Sequence, residues 1–165
     1  MNILELFKGI KTLVFDMDGV LTDGSLLILP DGIMARRMNI KDGYALQLAV
    51  KKGYNIVIVS GGSSPDAKNR LQKLGIQEVY LEVADKLIFL ESYLNTHQLS
   101  WNNMLYMGDD IPDLEVMKMV KLACCPEDAV SEIRTVSKYI SPVKGGFGCV
   151  RDVIEKALKL NGHWD

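Results

Sequence analysis

The sequence predicts an α/β fold, a parallel sheet with helices on both faces. Two observations carry that expectation. Short, nearly continuous apolar runs alternate with amphipathic segments over most of the length, as expected of strands buried on both faces by crossover helices. The acidic and glycine-rich clusters fall just after those runs, where the carboxyl ends of parallel strands present their loops.

Residues 11–16 (KTLVFD) read as the first strand. Residues 25–39 (SLLILPDGIMARRMN) then break the alternation, because two short strand-like arms flank Pro30, Asp31 and Gly32, a turn signal. This segment is expected to leave the sheet as a β-hairpin. A helix follows over 42–52 and stops at Gly53, a residue that accepts positive φ. Residues 54–60 (YNIVIVS) form the second core strand. In the next helix Ser64 is the expected cap, Pro65 suits the first turn, Ala67, Leu71 and Leu74 form the apolar stripe, and Gly75 ends it. A strand over 78–81 precedes a helix that begins near Asp85 and buries Leu87, Leu90 and Leu94. Strands over 104–107 and 121–124 complete the sheet, and a last helix turns Val150, Ile154, Ala157 and Leu158 inward. With no repeat, low-complexity tract or linker, residues 1–165 read as a single domain.

A chain of 165 residues, 48% hydrophobic and 24% charged, suffices for one core and not for two. Its net charge of −2 comes from 19 basic and 21 acidic residues, well mixed, so no basic stripe is available for nucleic acid. The three cysteines are odd in number, Cys124 and Cys125 are neighbours, and none stands at metal-ligand spacing with His97 or His163. Free thiols in a reducing cytoplasm are the expectation. No basic-then-apolar leader and no apolar run near the ~20 residues of a membrane span are found, so a cytoplasmic protein without a membrane partner is expected.

The chemistry concentrates at the strand ends. The first strand runs into DMDGVLTDG (16–24), where Asp16 and Asp18 point the same way if the chain stays extended and approach one small volume if it turns at Gly19. Such a pair can supply a nucleophile and a neighbouring acid or base, although an Asp after a strand often only caps a turn. After the second core strand, Ser60, Gly61 and Gly62 offer a hydroxyl and backbone N–H groups to phosphate oxygens, a weak signal taken alone. Lys86 stands near a helix N-terminus, where the helix dipole disfavours a cation unless an anion lies close by. GDDIPD (108–113) adds Asp109, Asp110 and Asp113 at the same edge. Turn caps explain one or two of these five acids and not all five. Each would repel every unit of phosphate charge by about 4 kcal/mol at about 4 Å and an effective dielectric near 20, so a divalent cation is required. An all-oxygen donor set favours Mg2+ over zinc.

In this order, DMDGVLTDG, VSGG (59–62), Lys86 and GDDIPD, the sequence resembles the haloacid dehalogenase superfamily of phosphatases, with its Rossmann-like sheet, across nearly its whole length. The resemblance implies that Asp16 attacks phosphorus and that Asp18 protonates the leaving oxygen and later activates water. It implies that Ser60, with Gly61, holds a phosphate oxygen and that Lys86 neutralises phosphate and nucleophile. Asp16, the backbone carbonyl of Asp18, and Asp109 would bind Mg2+, supported from behind by Asp110 and Asp113. The short intervals between motifs leave no room for a cap domain. With the hairpin, residues 39–44 (NIKDGY) and 145–151 (GGFGCVR), the chain is similar to the capless 3-deoxy-D-manno-octulosonate 8-phosphate phosphatases. That similarity implies a homotetramer in which hairpins pack together and a neighbour covers the site. Lys41, Asp42, Gly145 and Gly146 are then candidates for the substrate rim. One departure stands out: close relatives often carry arginine or glutamate after Ser/Thr-Gly, and this chain has Gly62 and Ser63. A nine-carbon keto-deoxy sugar 9-phosphate therefore stays open beside 3-deoxy-D-manno-octulosonate 8-phosphate. A signalling receiver domain uses similar residues but places its acidic pair early and its phosphorylated Asp on a middle strand, the wrong order for this chain. A non-catalytic subunit would not need the full chemical set.

Overall fold

The computed structural model describes residues 2–164. Six parallel strands form the sheet: β1 (Thr12–Phe15), β4 (Asn55–Val59), β5 (Glu78–Tyr80), β6 (Met104–Met107), β7 (Leu122–Cys125) and β8 (Tyr139–Ile140), in the order β5-β4-β1-β6-β7-β8. Alternate residues feed opposite layers, as the two-residue period of a strand requires. Leu13, Phe15, Ile56, Ile58, Leu105 and Met107 pack on one face, and Val14, Val57, Val59 and Tyr106 on the other. The first layer is closed by α1 (Ile40–Lys51), α2 (Pro65–Lys73) and α6 (Cys149–Leu160). The second is closed by α3 (Lys86–His97), α4 (Leu114–Met119) and α5 (Ser131–Val136). Both faces are therefore apolar, which is why the strands read as continuous hydrophobic runs.

The chain winds outward in both directions from β1, with β4 on one side and β6 on the other. The loops after these three strands diverge, and the crevice at that switch point is where a ligand fits. After β1 the chain turns through Gly19, at φ 88°, and then leaves the sheet as the expected hairpin. Its arms are β2 (Leu27–Ile28) and β3 (Met34–Ala35), antiparallel, with Thr22 bridging to Met38 at the base. Asp31 and Gly32 both take positive φ at the tip. The arms expose apolar side chains: Ile28 is 75% and Leu27 63% accessible.

Several boundaries differ from expectation for local reasons. The helix expected from 42 begins at Ile40, because the Asn39 side chain accepts the N–H groups of Lys41 and Asp42 at 2.8 and 3.3 Å. Ser64 sits at the start of α2 without a capping hydrogen bond, and Pro65 in the first turn has no N–H to satisfy. Leu74 and Leu87 are half-buried, not buried. The short elements α4, α5 and β8 were not expected, since six or fewer residues cannot establish a period. The three cysteines are free and buried. Among the described residues no helix is long and apolar enough to cross a membrane.

Candidate active site

The loops after β1, β4 and β6, with the start of α3, enclose a cavity of about 440 Å3 lined by Asp16, Asp18, Ser60, Gly61, Lys86 and Asp109, with Asp110 and Asp113 beside them. A wider groove of about 830 Å3 between α2 and α3 holds none of these residues. Size is therefore a poor guide in this molecule, and the converging charges mark the site.

Lys86 is the hub. It is 5% exposed at the first position of α3, and its Nζ donates to Asp16 Oδ1 at 2.8 Å and to Asp113 Oδ1 at 2.7 Å. Burial alone would lower the ammonium's pKa, but the carboxylates of Asp16 and Asp113 outweigh it and hold Lys86 above its ordinary value. The cation that looked misplaced at a helix N-terminus is matched by two anions. Asp113 is satisfied throughout: Oδ1 also accepts from Tyr106 OH at 2.5 Å, and Oδ2 accepts the N–H groups of Asp109 and Asp110 at 3.1 and 3.4 Å. Asp110 in turn caps the following turn through the N–H of Ile111. Both acids shape the loop after β6, and Asp113 orients the lysine.

Asp109 differs. Its Oδ1 is buried and has no hydrogen-bond partner among the described residues. Burial, then the neighbouring charges of Asp16 and Asp113, push its carboxyl well above the usual range, and burial followed by Asp113 raises Asp16 despite Lys86. Carboxylate oxygens of Asp16, Asp109 and Asp113 lie within 4.8 Å of one another. Since Asp113 already serves several donors, Asp16 and Asp109 are left to face a cation. A buried, unpartnered oxygen within a surplus of negative charge fits a hard divalent ion with oxygen ligands, which is Mg2+ chemistry.

Glycines make this proximity possible. A Cβ on Gly19 would lie 1.9 Å from Asp109 Oδ2, and one on Gly108 would lie 2.4 Å from Asp113 Cβ, so neither loop tolerates a side chain there. On the phosphate side Ser60 is buried at the end of β4, and its Oγ accepts the N–H of Gly62 at 3.2 Å.

No family model matches the chain. Individual relatives do. It is 29% identical over 164 residues to the 3-deoxy-D-manno-octulosonate 8-phosphate phosphatase of Escherichia coli K12, covering 99% of this chain and 87% of that one. The enzyme of the same description from Yersinia pestis is 30% identical over 98% of this chain and 88% of its own length. The chain belongs to the 3-deoxy-D-manno-octulosonate 8-phosphate phosphatase family of the haloacid dehalogenase superfamily. Among solved structures, the phosphatase of that description from Moraxella catarrhalis, in complex with magnesium, phosphate and 3-deoxy-D-manno-octulosonate, superposes with a TM-score of 0.91. It is 31% identical and covers 95% of this chain and 90% of its own.

Within this family fold, not every expected residue reaches the pocket. Asp16, Asp18, Ser60, Gly61, Lys86 and Asp109 do, with Asp110 and Asp113. Lys41 is exposed on the first turn of α1, outside the pocket lining. Asp42 is corrected from rim to interior: it is 1% exposed, and its Oδ1 accepts the N–H of Arg151 at 2.8 Å. Gly148 at the start of α6 has no side chain to cap with, and Asp42 caps that helix from across the seam. Gly145 and Gly146 likewise support the loop instead of lining the pocket. A Cβ on Gly145 would lie 1.8 Å from the Gly19 carbonyl oxygen, and the N–H of Gly146 donates to the Val20 carbonyl at 3.0 Å. The tail thus braces the turn that carries Asp18. Two contributors were missed in the sequence. They are Tyr106, inside the strand over 104–107, which donates to Asp113, and Arg36, on the hairpin, which contacts Asp18.

Proposed function

We propose that the protein is a magnesium-dependent phosphomonoesterase acting through an aspartyl-phosphate on a small acidic sugar phosphate, with 3-deoxy-D-manno-octulosonate 8-phosphate the preferred substrate. The observation that carries it is Asp16, buried at the switch point of the sheet between Lys86 and Asp109, whose Oδ1 has no hydrogen-bond partner among the described residues. A family relative of the same fold holds magnesium, phosphate and 3-deoxy-D-manno-octulosonate together.

Asp16 attacks phosphorus as the ester P–O bond breaks, and the bonding pair leaves with the alcohol oxygen, which takes a proton from Asp18. Asp18 then takes a proton from water as the water oxygen bonds phosphorus. The Asp16–phosphorus bond breaks, and its pair restores the carboxylate. Lys86 fixes one oxygen of Asp16 and offsets charge on the transferring group, while Ser60 and the Gly61 N–H hold phosphate oxygens. Asp16, Asp109 and the Asp18 carbonyl are the residues that would hold Mg2+. When bound, that ion neutralises the acidic cluster and polarises the phosphoryl group.

The same reading makes the chain one domain without a cap, closed by self-association. Leu27, Ile28, Ile33 and Met34 present an exposed apolar hairpin, the kind of patch that marks an interface, and a homotetramer packed through these arms would cover the open pocket. The bare Gly62 keeps a nine-carbon keto-deoxy sugar 9-phosphate as the second reading.

The test is a phosphate-release panel with Mg2+, comparing eight- and nine-carbon keto-deoxy sugar phosphates with common hexose phosphates, on protein whose mass is first read by light scattering. The eight-carbon ester should turn over fastest, Asp16→Asn should release no phosphate, and the mass should be that of a tetramer. Preference for hexose phosphates refutes the substrate, release by Asp16→Asn refutes the nucleophile, and a monomer at micromolar concentration refutes the assembly.

A further inference from the structure

Arg36, directly after β3, folds its guanidinium over the loop that carries Asp18. Nε donates to Asp18 Oδ1 at 2.7 Å and Nη2 to Oδ2 at 3.2 Å, while Nη1 donates to the Met34 carbonyl at 3.3 Å. The Arg36 side chain is 8% exposed, although it sits on an otherwise solvent-facing hairpin. Thr22 Oγ1 adds a longer hydrogen bond to Oδ1 at 3.4 Å. A planar fork on both oxygens fixes a carboxylate in orientation as well as in place.

A second observation comes from the opposite wall. A Cβ on Gly62 would stand 3.2 Å from Asp18 Oδ2 and 3.3 Å from Arg36 Nη2. A side chain at 62 would press on both, so the aspartate or the arginine would have to shift by a few tenths of an ångström. The hairpin arm and the loop after β4 are therefore fitted to each other across Asp18.

We propose that Arg36 is a positioning residue for the acid–base steps, holding the Asp18 carboxyl in one orientation over the pocket, and that Gly62 is bare so that the guanidinium can reach it. The proposal rests on the phosphatase reading above. When Asp16 displaces the alcohol, the Asp18 proton passes to the leaving oxygen. When water displaces Asp16, a water proton passes back to Asp18. Both transfers require Asp18 in place, and neither requires Arg36 to touch substrate. Oδ1 receives both Arg36 and Thr22, whereas Oδ2 receives the fork alone and keeps a second lone pair for the proton.

The experiment uses the full chain with Mg2+, wild type beside Arg36→Met and Arg36→Lys, on two esters: the sugar phosphate that turns over fastest and p-nitrophenyl phosphate. A sugar alkoxide leaves only with a proton, whereas nitrophenolate leaves without one. In Arg36→Met, kcat/KM for the sugar ester should fall on the order of 10- to 100-fold, and that for the nitrophenyl ester should stay within about threefold. Rapid mixing should show a burst of nitrophenolate, since hydrolysis of the aspartyl-phosphate needs the same carboxyl. Arg36→Lys should recover part of the sugar-ester rate. Retained nitrophenyl turnover shows that the variant is folded. Equal losses on both esters, a change confined to KM, or no change overturns the role of Arg36. A wild type inactive on both esters overturns the phosphatase reading itself.

Discussion

The molecule buries acids in two regions and treats them in opposite ways. At the strand ends, Asp113 receives Lys86, Tyr106 and two backbone N–H groups, while Asp109 beside it keeps an oxygen with no partner among the described residues. At the seam between α1 and α6, Asp42 stands apart from any such cluster, accepts one N–H from Arg151, and also keeps an oxygen without a partner among the described residues. The contrast separates three uses of a buried carboxylate. Asp113, rich in donors, is a strut. Asp109, poor in donors and crowded by like charge, is the carboxylate proposed to share a cation with Asp16. Asp42, poor in donors and distant from the cluster, is a tether whose charge costs stability and is offset by the helix it caps.

The largest test of that division is Asp113→Ala. It removes the common acceptor of Lys86, Tyr106 and two N–H groups, and breaking a buried pair from one side costs about 3–5 kcal/mol. Urea unfolding should show that loss, whereas a loss under about 1 kcal/mol would mean that water replaces the acceptor and that Asp113 is no strut. The next largest effect belongs to Asp109. Magnesium at 100 times its dissociation constant should stabilise the wild type by about 2.7 kcal/mol. In Asp109→Asn, scanning calorimetry should show a higher midpoint without metal, because like charge has been removed, and no further rise with Mg2+. A magnesium-dependent rise of wild-type size in that variant would take Asp109 out of the ligand set.

The seam also shows what the sequence made legible and what it did not. Strands and acids were readable because each is local: a buried parallel strand is a short apolar run, and a ligand-binding loop follows its carboxyl end. That logic brings Asp16, Asp18, Ser60, Lys86 and Asp109 to one sheet edge, and all five line one pocket. It failed for Asp42, whose partner Arg151 lies on the last helix, and for Gly145 and Gly146, whose role is steric contact with the turn after Asp18. It failed for Arg36 for the same reason, since the pairing with Asp18 exists only once the hairpin folds back. Spacing along a chain reveals what an element carries. Contacts between elements that are distant in sequence decide which residues serve chemistry and which hold the frame.

The smallest predicted effect is the most selective test of that boundary. Burial lifts the Asp42 carboxyl from an ordinary 3.8 to about 6, partly opposed by the N–H and the charge of Arg151. Because the folded state holds the proton more tightly than the unfolded chain, the contribution of Asp42 is most favourable below about pH 4 and is lost as pH rises through about 6. Asp42→Asn keeps an acceptor for the Arg151 N–H and removes the charge. It should therefore be more stable than wild type at pH 7.5 by about 1–3 kcal/mol, with the difference closing near pH 4. Asp42→Ala, which loses the cap as well, should be less stable than Asp42→Asn at both pH values. If Asp42→Asn instead folded like wild type at every pH and lost turnover, the buried tether would be wrong and Asp42 would return to the substrate rim.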